Sequence, residues 1–466
     1  MTETSLGIRL PRSSMGLKLL LVCALALLMS IPALFVFALL SDRTHRAEEV
    51  AREVGGLVGG QQTFLGPVLA VPYTFDTGDK ERPVGNGVWI VYPTRGEASV
   101  GSTSQVRQRS LFKVPVYKAD VRFKAAFDVS GAAAAGPAGA RLDWSRAEFL
   151  VGVSDPRGAQ ADIVLQAGGA SLPLAPAANL SDTGLQADGR TTRTASPGDM
   201  GLRFFGAPAA GIAQPGARFD AAVTLKFSGA ERLSVLAFAK TTTLTAKGDW
   251  GDPSFDGGFL PVSRQVSDDG FTATWSVPFI ARGLPAQTTS DGLAKLGNTQ
   301  MGVTFADPAN PYQSVGRSLK YALMFVGLVF LAYFIFETMQ RKKVHPAQYL
   351  LVGLAQIVFY LLLLSIAEHV GFDAGFAIAA SATVALISAY AGWVFESRRQ
   401  GVIALVSFTA LYGLIYVLMR LEDFALLVGA LTSFAAIAAV MYFTRKIDWY
   451  GAAASPDPLP SQRKAA

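Results

Sequence analysis

The sequence predicts an α+β membrane protein: six transmembrane helices, with a large and mainly β periplasmic domain inserted between helices 1 and 2. The first observation is composition, since 51% of the 466 residues are hydrophobic and only 16% are charged, which is too apolar for an ordinary soluble protein. The second is a set of six apolar runs, each close to the ~20 residues that a helix needs to cross a ~30 Å hydrocarbon core. The third is a change of period after the first run, where alternating segments bounded by turn residues indicate β-strands.

The first apolar run, 19–40, is predicted to be an uncleaved membrane anchor. It is longer than the ~7 to 15 apolar residues of a signal peptide, and no small-x-small cleavage site follows it. Arg9, Arg12 and Lys18 precede it, so the positive-inside rule places residues 1–18 in the cytoplasm.

The predicted β domain covers 41–318, as one unit or as two packed subdomains. Its apolar segments, such as PVLAVPYTF and ADIVLQA, are short and are bounded by Gly, Pro, Asn and Asp, as strands joined by turns require. A helical interruption is expected at 143–150. The single cysteine, Cys23, excludes an intrachain disulfide, so this domain must be stabilised by its own core.

Five further spans are predicted at 319–336, 349–367, 374–395, 402–419 and 424–443, followed by a tail of 444–466. The segments after them are, in order, QRKK, EHVGFD, ESRRQ, RLED and TRK, and cations dominate every second one. This alternation predicts both termini in the cytoplasm and the β domain in the periplasm of a bacterium, with the chain in its inner membrane. The cations that determine this topology are Arg341, Lys342, Lys343, Arg398, Arg399, Arg445 and Lys446.

Because the cations lie beside apolar runs and form no long basic patch with aromatic residues, the expected partner is the lipid bilayer and not nucleic acid. The sequence contains no GxxxxGK[ST], HExxH, GxSxG or CxxC motif, so we expect no enzyme activity, no cofactor and no catalytic residue. The topology also separates His345 from His45 and His369, which excludes a three-histidine metal site.

Proton- or ion-coupled transporters usually keep ionisable residues within the bilayer, whereas predicted helices 3 to 6 have none at their centres. The acidic residues lie at helix ends, where solvated carboxylates are expected: Glu337, Glu368, Glu396, Glu422 and Asp423. Glu368 and His369 are the functional candidates, because an imidazole beside a carboxylate at an external turn could form a pH-sensitive contact with the β domain.

Two loops of the β domain, 151–158 and 250–261, are dense in Asp, Pro and Gly. They could bind a partner, but turn chemistry favours a structural role. Small residues in predicted helices 4 and 6 favour a compact bundle made of helices 3 to 6, because small side chains let helices approach closely in lipid.

Several segments together resemble the CreD family of inner-membrane proteins. They are QQTFLGPVLAVPY (61–73), VSDPRG, GAERLSVLAFAKTTTLTAKGDWGDPSFDGGFLP, LKYALMFVGLVFLAYFIFE and HPAQYLLVGLAQIVFYLLLLSIAEHVGF. The resemblance covers nearly the whole chain in the same order. It implies a large periplasmic insertion, a C-terminal helical bundle, and links to cell envelope integrity, a two-component system, envelope stress or β-lactam responses and colicin tolerance. It implies no reaction, cofactor or catalytic residue.

The first functional hypothesis is therefore a non-enzymatic inner-membrane protein that supports envelope integrity, with an envelope protein, lipid or glycan as the partner of its periplasmic β domain. The alternative is a transporter or lipid-handling protein that uses the C-terminal bundle. An apolar groove in the β domain would favour the alternative, and a solidly packed core would favour the first hypothesis. A sensor role would need a partner protein, because no output domain is present in this sequence. The oligomeric state stays open.

Overall fold

The computed structural model describes residues 15–78, 84–131, 136–177, 201–305, 311–340, 344–420 and 425–445. The chain divides into two compact units. The helical unit comprises Met1–Arg46 with Ala309–Ala466, and the β unit comprises Ala47–Pro308. The bounds predicted for the individual domains and spans stay predictions.

Ten helices lie in the described parts of the chain. In order they are α1 (Met15–Leu28), α2 (Ser30–Leu57), α3 (Phe279–Arg282), α4 (Ser290–Ala294), α5 (Pro311–Lys320), α6 (Ala322–Gln340), α7 (Pro346–Val370), α8 (Phe372–Val394), α9 (Arg398–Arg420) and α10 (Ala425–Thr444).

Four helical segments among the described residues are long and apolar enough to cross a membrane: Gly16–Leu57, Pro346–Val370, Phe372–Val394 and Arg398–Met419. Helices α5 and α6 together form a fifth candidate, bent by 53° at the break between them. The sixth predicted run, 424–443, coincides with α10 except at residue 424, which lies outside the described residues. The chain is thus a membrane protein with about four apolar helices, and the count of six stays a prediction.

The bounds of α7 follow from its local sequence. The His345 side chain accepts a hydrogen bond from the Ala347 N–H, and the Gln348 side chain accepts one from the His345 N–H, which together form a capping box. Pro346 occupies the first helical position, where its missing N–H costs nothing. Gly371, at φ +84°, ends α7 and starts α8, and its backbone conformation is one that side chains disfavour.

Eighteen strands lie in the described part of the β unit. They are β1 (Gln62–Asp76), β2 (Val84–Val91), β3 (Arg95–Arg109), β4 (Phe112–Asp128), β5 (Arg141–Leu142), β6 (Glu148–Val153), β7 (Val164–Ala167), β8 (Ala170–Pro173), β9 (Ala175–Pro176), β10 (Arg203–Pro208), β11 (Arg218–Ala230), β12 (Arg232–Leu236), β13 (Thr241–Gly248), β14 (Pro253–Gly257), β15 (Ser263–Ser267), β16 (Gly270–Val277), β17 (Gln287–Thr289) and β18 (Gln300–Phe305).

The strands form two sheets. The ten-stranded sheet has the order β14-β18-β12-β1-β6-β10-β9, with β2 and β5 paired to β1 and β17 paired to β2. The eight-stranded sheet has the order β15-β16-β13-β3-β4-β11-β7-β8. Most pairs are antiparallel, and the pairs β1–β12 and β13–β3 are parallel.

The two sheets share one apolar core. Along β3 and β4 the side chains alternate between exposed and buried, as expected when one face of a sheet meets the core and the other meets solvent. Phe64 of the ten-stranded sheet packs edge-on against Phe227 of the eight-stranded sheet, with ring centroids 5.4 Å apart. A Cβ at Gly66 would lie 2.8 Å from the rings of Phe123 and Phe238, so glycine permits this close packing.

The expected helix at 143–150 is wrong. Only Trp144–Arg146 form a short 3-10 turn, which Asp143 caps by accepting a hydrogen bond from the Ser145 N–H. The residues that follow form β6, which pairs with β1 on one side and β10 on the other. Pairing on both edges supplies the backbone hydrogen bonds that a helix would otherwise have made, so tertiary context decides the conformation.

Candidate functional site

A buried carboxylate lies where α6 leads into α7. Glu337 is only 4% exposed, and Lys18 of α1 forms an ion pair with its Oε1 atom. The Val344 N–H donates to Oε1 at 2.9 Å, and the Tyr349 hydroxyl donates to Oε2 at 2.9 Å. Lys18 Nζ also donates to the Val344 carbonyl at 3.0 Å. We call Lys18, Glu337, Val344 and Tyr349 the Glu337 cluster.

The expectation of a solvated carboxylate at Glu337 is therefore wrong. The N–H of Val344 and the phenol of Tyr349, in the first turn of α7, replace the water that would bind an exposed carboxylate. A buried charge is tolerated when it is paired and its oxygens are hydrogen-bonded. The Glu337 cluster thus joins α1, α6 and α7 at one end of the helical unit.

A second carboxylate cluster contains the predicted candidate Glu368. Its side chain is 7% exposed; the Tyr312 hydroxyl donates to Oε1 at 3.0 Å, and Arg43 Nη1 lies 3.9 Å from the same atom. We call Arg43, Tyr312 and Glu368 the Glu368 cluster. It joins α2, α5 and α7, so each of the two clusters ties a cation of the first helical segment to the later helices.

His369, the other predicted candidate, is exposed. Adjacent residues of a helix do not face each other, and Glu368 is directed to Tyr312 and Arg43. The structure therefore does not bring Glu368 and His369 together as one site. Their predicted pH-sensitive contact with the β domain stays a prediction.

The predicted topology determinants are described in part. Arg398 and Arg399 are exposed in the first turn of α9. The exposed Arg445 places its guanidinium carbon 4.3 Å from the centroid of the Tyr442 ring. Arg341, Lys342, Lys343 and Lys446 lie outside the described residues, as do the acidic residues Glu422 and Asp423.

Polar side chains also lie inside the helix bundle. Gln356 of α7 is buried, and its side chain is hydrogen-bonded to Tyr412 of α9. The Tyr333 hydroxyl donates to the Ile387 carbonyl at 3.1 Å. These contacts cross between helices, where hydrogen bonds contribute to association in lipid.

In the β unit, the loop at 151–158 has a structural role. Asp155 accepts a hydrogen bond from the Arg157 N–H and starts a 3-10 turn, while the buried Gln62 side chain donates to the carbonyls of Gly59 and Asp155. Burial acts to raise the pKa of the Asp155 carboxyl, but hydrogen bonds from Arg157 and the charge of its guanidinium outweigh burial and hold the pKa below its usual value. The turn interpretation of this loop is confirmed.

The outer face of the eight-stranded sheet is polar and open. A cavity of about 420 Å³ is lined by Arg95, Glu97, Lys124 and Asp220, among others. Another, of about 750 Å³, includes Asp120 and Lys247 in its lining. The strand register places Glu97 opposite Lys124 and Asp120 opposite Lys226, so charges of opposite sign lie side by side at these two positions of the face.

Sequence reasoning missed Lys18, Arg43, Tyr312, Glu337 and Tyr349 as site residues. One signal was available for Glu337 and Lys18, because each is a charge at the edge of an apolar run. Their pairing was not predictable, since the two residues are 319 positions apart in the chain.

Comparison with known proteins agrees with this architecture. The family model described as "Inner membrane protein CreD" matches residues 14–450. The chain is similar to the inner membrane protein CreD of Escherichia coli (strain K12), with 28% identity over 431 residues that cover 91% of each chain.

Proposed function

Because the chain belongs to the CreD family of inner membrane proteins, we propose that it is a non-enzymatic protein that supports the integrity of the cell envelope through its β unit. In this proposal the β unit lies in the periplasm and contacts an envelope component there. The charge alternation of the connecting segments supports this orientation.

The observation that carries the proposal is the outer face of the eight-stranded sheet. Its neighbouring strands expose charged side chains of both signs, with more cations than anions, including Arg95, Lys118, Arg122, Lys124, Lys226, Lys247, Glu97, Asp120 and Asp220. A broad polar face of this kind suits electrostatic contact with a protein or an anionic glycan, because charged side chains can pair with a partner without losing all their water.

The packing of the β unit supports this role over lipid transfer through that unit. Its two sheets enclose a continuous core of buried apolar side chains, including Phe64, Phe123, Phe149, Phe227 and Trp275. The two cavities on its outer face carry charged side chains in their linings. A lipid route would need an apolar groove, whereas a contact surface needs a stable scaffold with polar groups outside.

The test is photo-crosslinking in living cells. A photoreactive amino acid at Arg122, in the middle of the outer face, should trap an envelope component, while the same group at Ser254 should not. Ser254 is the matched control because it is exposed on the other sheet, in β14. The double variant Arg122→Glu, Lys124→Glu should lose the crosslink and should sensitise cells to detergent as much as deletion of the protein does.

No specific product at Arg122, or equal products at Arg122 and Ser254, would contradict the proposed contact. A full envelope phenotype in the double variant without any loss of the crosslink would show that the trapped component is not the relevant partner.

A further inference from the structure

A groove runs along the surface of the helical unit between α8 and α9. It contains two cavities, of about 550 Å³ and about 500 Å³, and Leu405 lines both. On α8 the wall is a row of small residues spaced four apart, namely Ala377, Ser381, Ala385 and Ala389. Residues spaced four apart are neighbours along a helix surface, so this row lines first one cavity and then the other.

The larger cavity contains an unsatisfied polar group. Ser388 is 5% exposed, lines this cavity, and its hydroxyl makes no hydrogen bond. Thr383 in the same helix shows the usual arrangement, in which the hydroxyl donates to the carbonyl four residues earlier, at Ala379, over 2.8 Å. A buried hydroxyl without a partner is costly in an apolar medium, so Ser388 indicates a ligand that brings a hydrogen-bond acceptor.

The mouth of the same cavity has charges of both signs. Arg398 and Glu396 line it together with Ser397 and the exposed Trp393. Tryptophan is typical of the membrane interface, and Ser388 lies six residues, about 9 Å, before Val394, the last residue of α8. A ligand in this cavity therefore meets a cation, an anion and an indole at the interface, then a hydroxyl, then small apolar side chains.

We propose that the groove binds a zwitterionic phospholipid whose headgroup carries a primary ammonium. Arg398 binds the phosphate and Glu396 the ammonium, while the Ser388 hydroxyl donates to an ester carbonyl. One acyl chain lies along Ala389 and Ala385 and past Leu405 into the second cavity. Basic pockets between membrane helices bind phospholipid headgroups, and here the carboxylate adds a preference for a headgroup that also has a positive charge.

This lipid site goes beyond the proposed function and does not rest on it. A transmembrane helix of a partner could also use a row of small residues. A lipid fits the cavity better than a helix does. The opposite charges at the mouth match a zwitterionic headgroup, the buried hydroxyl below them matches a glycerol ester, and the small apolar side chains beyond match an acyl chain.

The test is native mass spectrometry of the full-length chain, purified in detergent and stripped of lipid. Phosphatidylethanolamine and phosphatidylglycerol with identical acyl chains are titrated separately. We expect one saturable phosphatidylethanolamine site with at least about fivefold tighter binding than phosphatidylglycerol. Arg398→Gln should weaken binding of both lipids about tenfold, and Ser388→Ala about threefold or more, because each removes a hydrogen bond to the lipid.

Two variants make the test specific. Glu396→Gln should remove the preference for phosphatidylethanolamine without weakening phosphatidylglycerol binding. Arg399→Gln is the matched control, since Arg399 is an exposed neighbouring cation that does not line the cavity, and its lipid binding should stay within about twofold of the original.

Equal lipid affinity of the Arg398→Gln and Arg399→Gln variants would overturn the site, and so would a preference for phosphatidylglycerol in the unaltered chain. A second protein that copurifies at a fixed ratio and excludes lipid from the groove would assign the groove to a partner helix instead. Monodisperse elution of each variant shows that it is folded. Because only lipid binding is measured, failure here leaves the envelope role of the β unit untouched.

Discussion

Single charged residues determine much of the packing in the helical unit. Glu337 and Glu368 each bind a cation from the first helical segment and a tyrosine from a later helix. A charge that leaves water at the membrane interface must be neutralised and hydrogen-bonded. These contacts therefore favour one position of the first helical segment along the later helices α6 and α7.

The Glu337 cluster gives the first prediction. Glu337→Gln leaves the Lys18 charge without its counter-ion, and we expect a loss of about 3–5 kcal/mol in the free energy of unfolding in detergent. Tyr349→Phe should cost only about 1 kcal/mol, because it removes a single hydrogen bond. The double variant Lys18→Met, Glu337→Gln should be less destabilised than the sum of the two single variants. Additivity of the two within about 0.5 kcal/mol would contradict the ion pair.

Asp155 gives a prediction on pH. Its pKa in the folded protein lies below the usual value, so its contribution to stability is present above about pH 4 and is lost as the pH falls through the lowered pKa. Asp155→Asn should therefore lower the melting temperature at neutral pH, by about 2–4 °C, and the difference should shrink in acid. Asp162→Asn, at an exposed position of the same unit, is the matched control. A difference in melting temperature that stays constant across the pH range would argue against the hydrogen bonds from Arg157 to Asp155.

At the scale of elements, the helices were more predictable than the strands. The apolar run at 349–367 predicts most of α7, because the length and apolarity that a membrane-crossing helix needs are properties of one continuous stretch of sequence. The assignment at 143–150 failed because β6 depends on two strands far away in the sequence. The same distinction applies to the site: Glu368 was predictable as a charge at a helix end, whereas its partners Arg43 and Tyr312 come from other helices.

The contact between α7 and α8 depends on a glycine. A Cβ at Gly375 would lie 2.9 Å from the backbone N and Cα atoms of Ala367, which cannot move aside as a flexible side chain could. We expect Gly375→Ala to cost about 1–3 kcal/mol in the free energy of unfolding, because the two helices must separate. Gly327→Ala is the control, since a Cβ there meets nothing within 4 Å and alanine favours the helix. A Gly375→Ala variant as stable as the Gly327→Ala variant would exclude the close approach.

At the scale of the whole molecule, the orientation in the membrane is the main expectation that stays a prediction. Neutralising Arg341, Lys342 and Lys343 together should disturb insertion of the hairpin between predicted helices 2 and 3, because the cations hold this connection in the cytoplasm. Reporter fusions after residue 345 measure the effect, and neutralising Arg445 alone serves as a milder control. An unchanged reporter pattern would contradict a determining role for these three cations.

The single cysteine of the chain allows a direct test of which side of the membrane the β unit occupies. Cys23→Ser removes the only thiol, and new cysteines at Gln105 in the β unit and at Gln400 in α9 provide one probe on each side of the predicted topology. In intact spheroplasts a membrane-impermeant maleimide should label the Gln105→Cys variant and not the Gln400→Cys variant, which should react only after the membrane is opened. The reverse pattern would invert the orientation and place the β unit in the cytoplasm. That result would exclude the proposed envelope contact, because the polar face of the eight-stranded sheet could then not reach a periplasmic partner, whereas the lipid site between α8 and α9 would be unaffected.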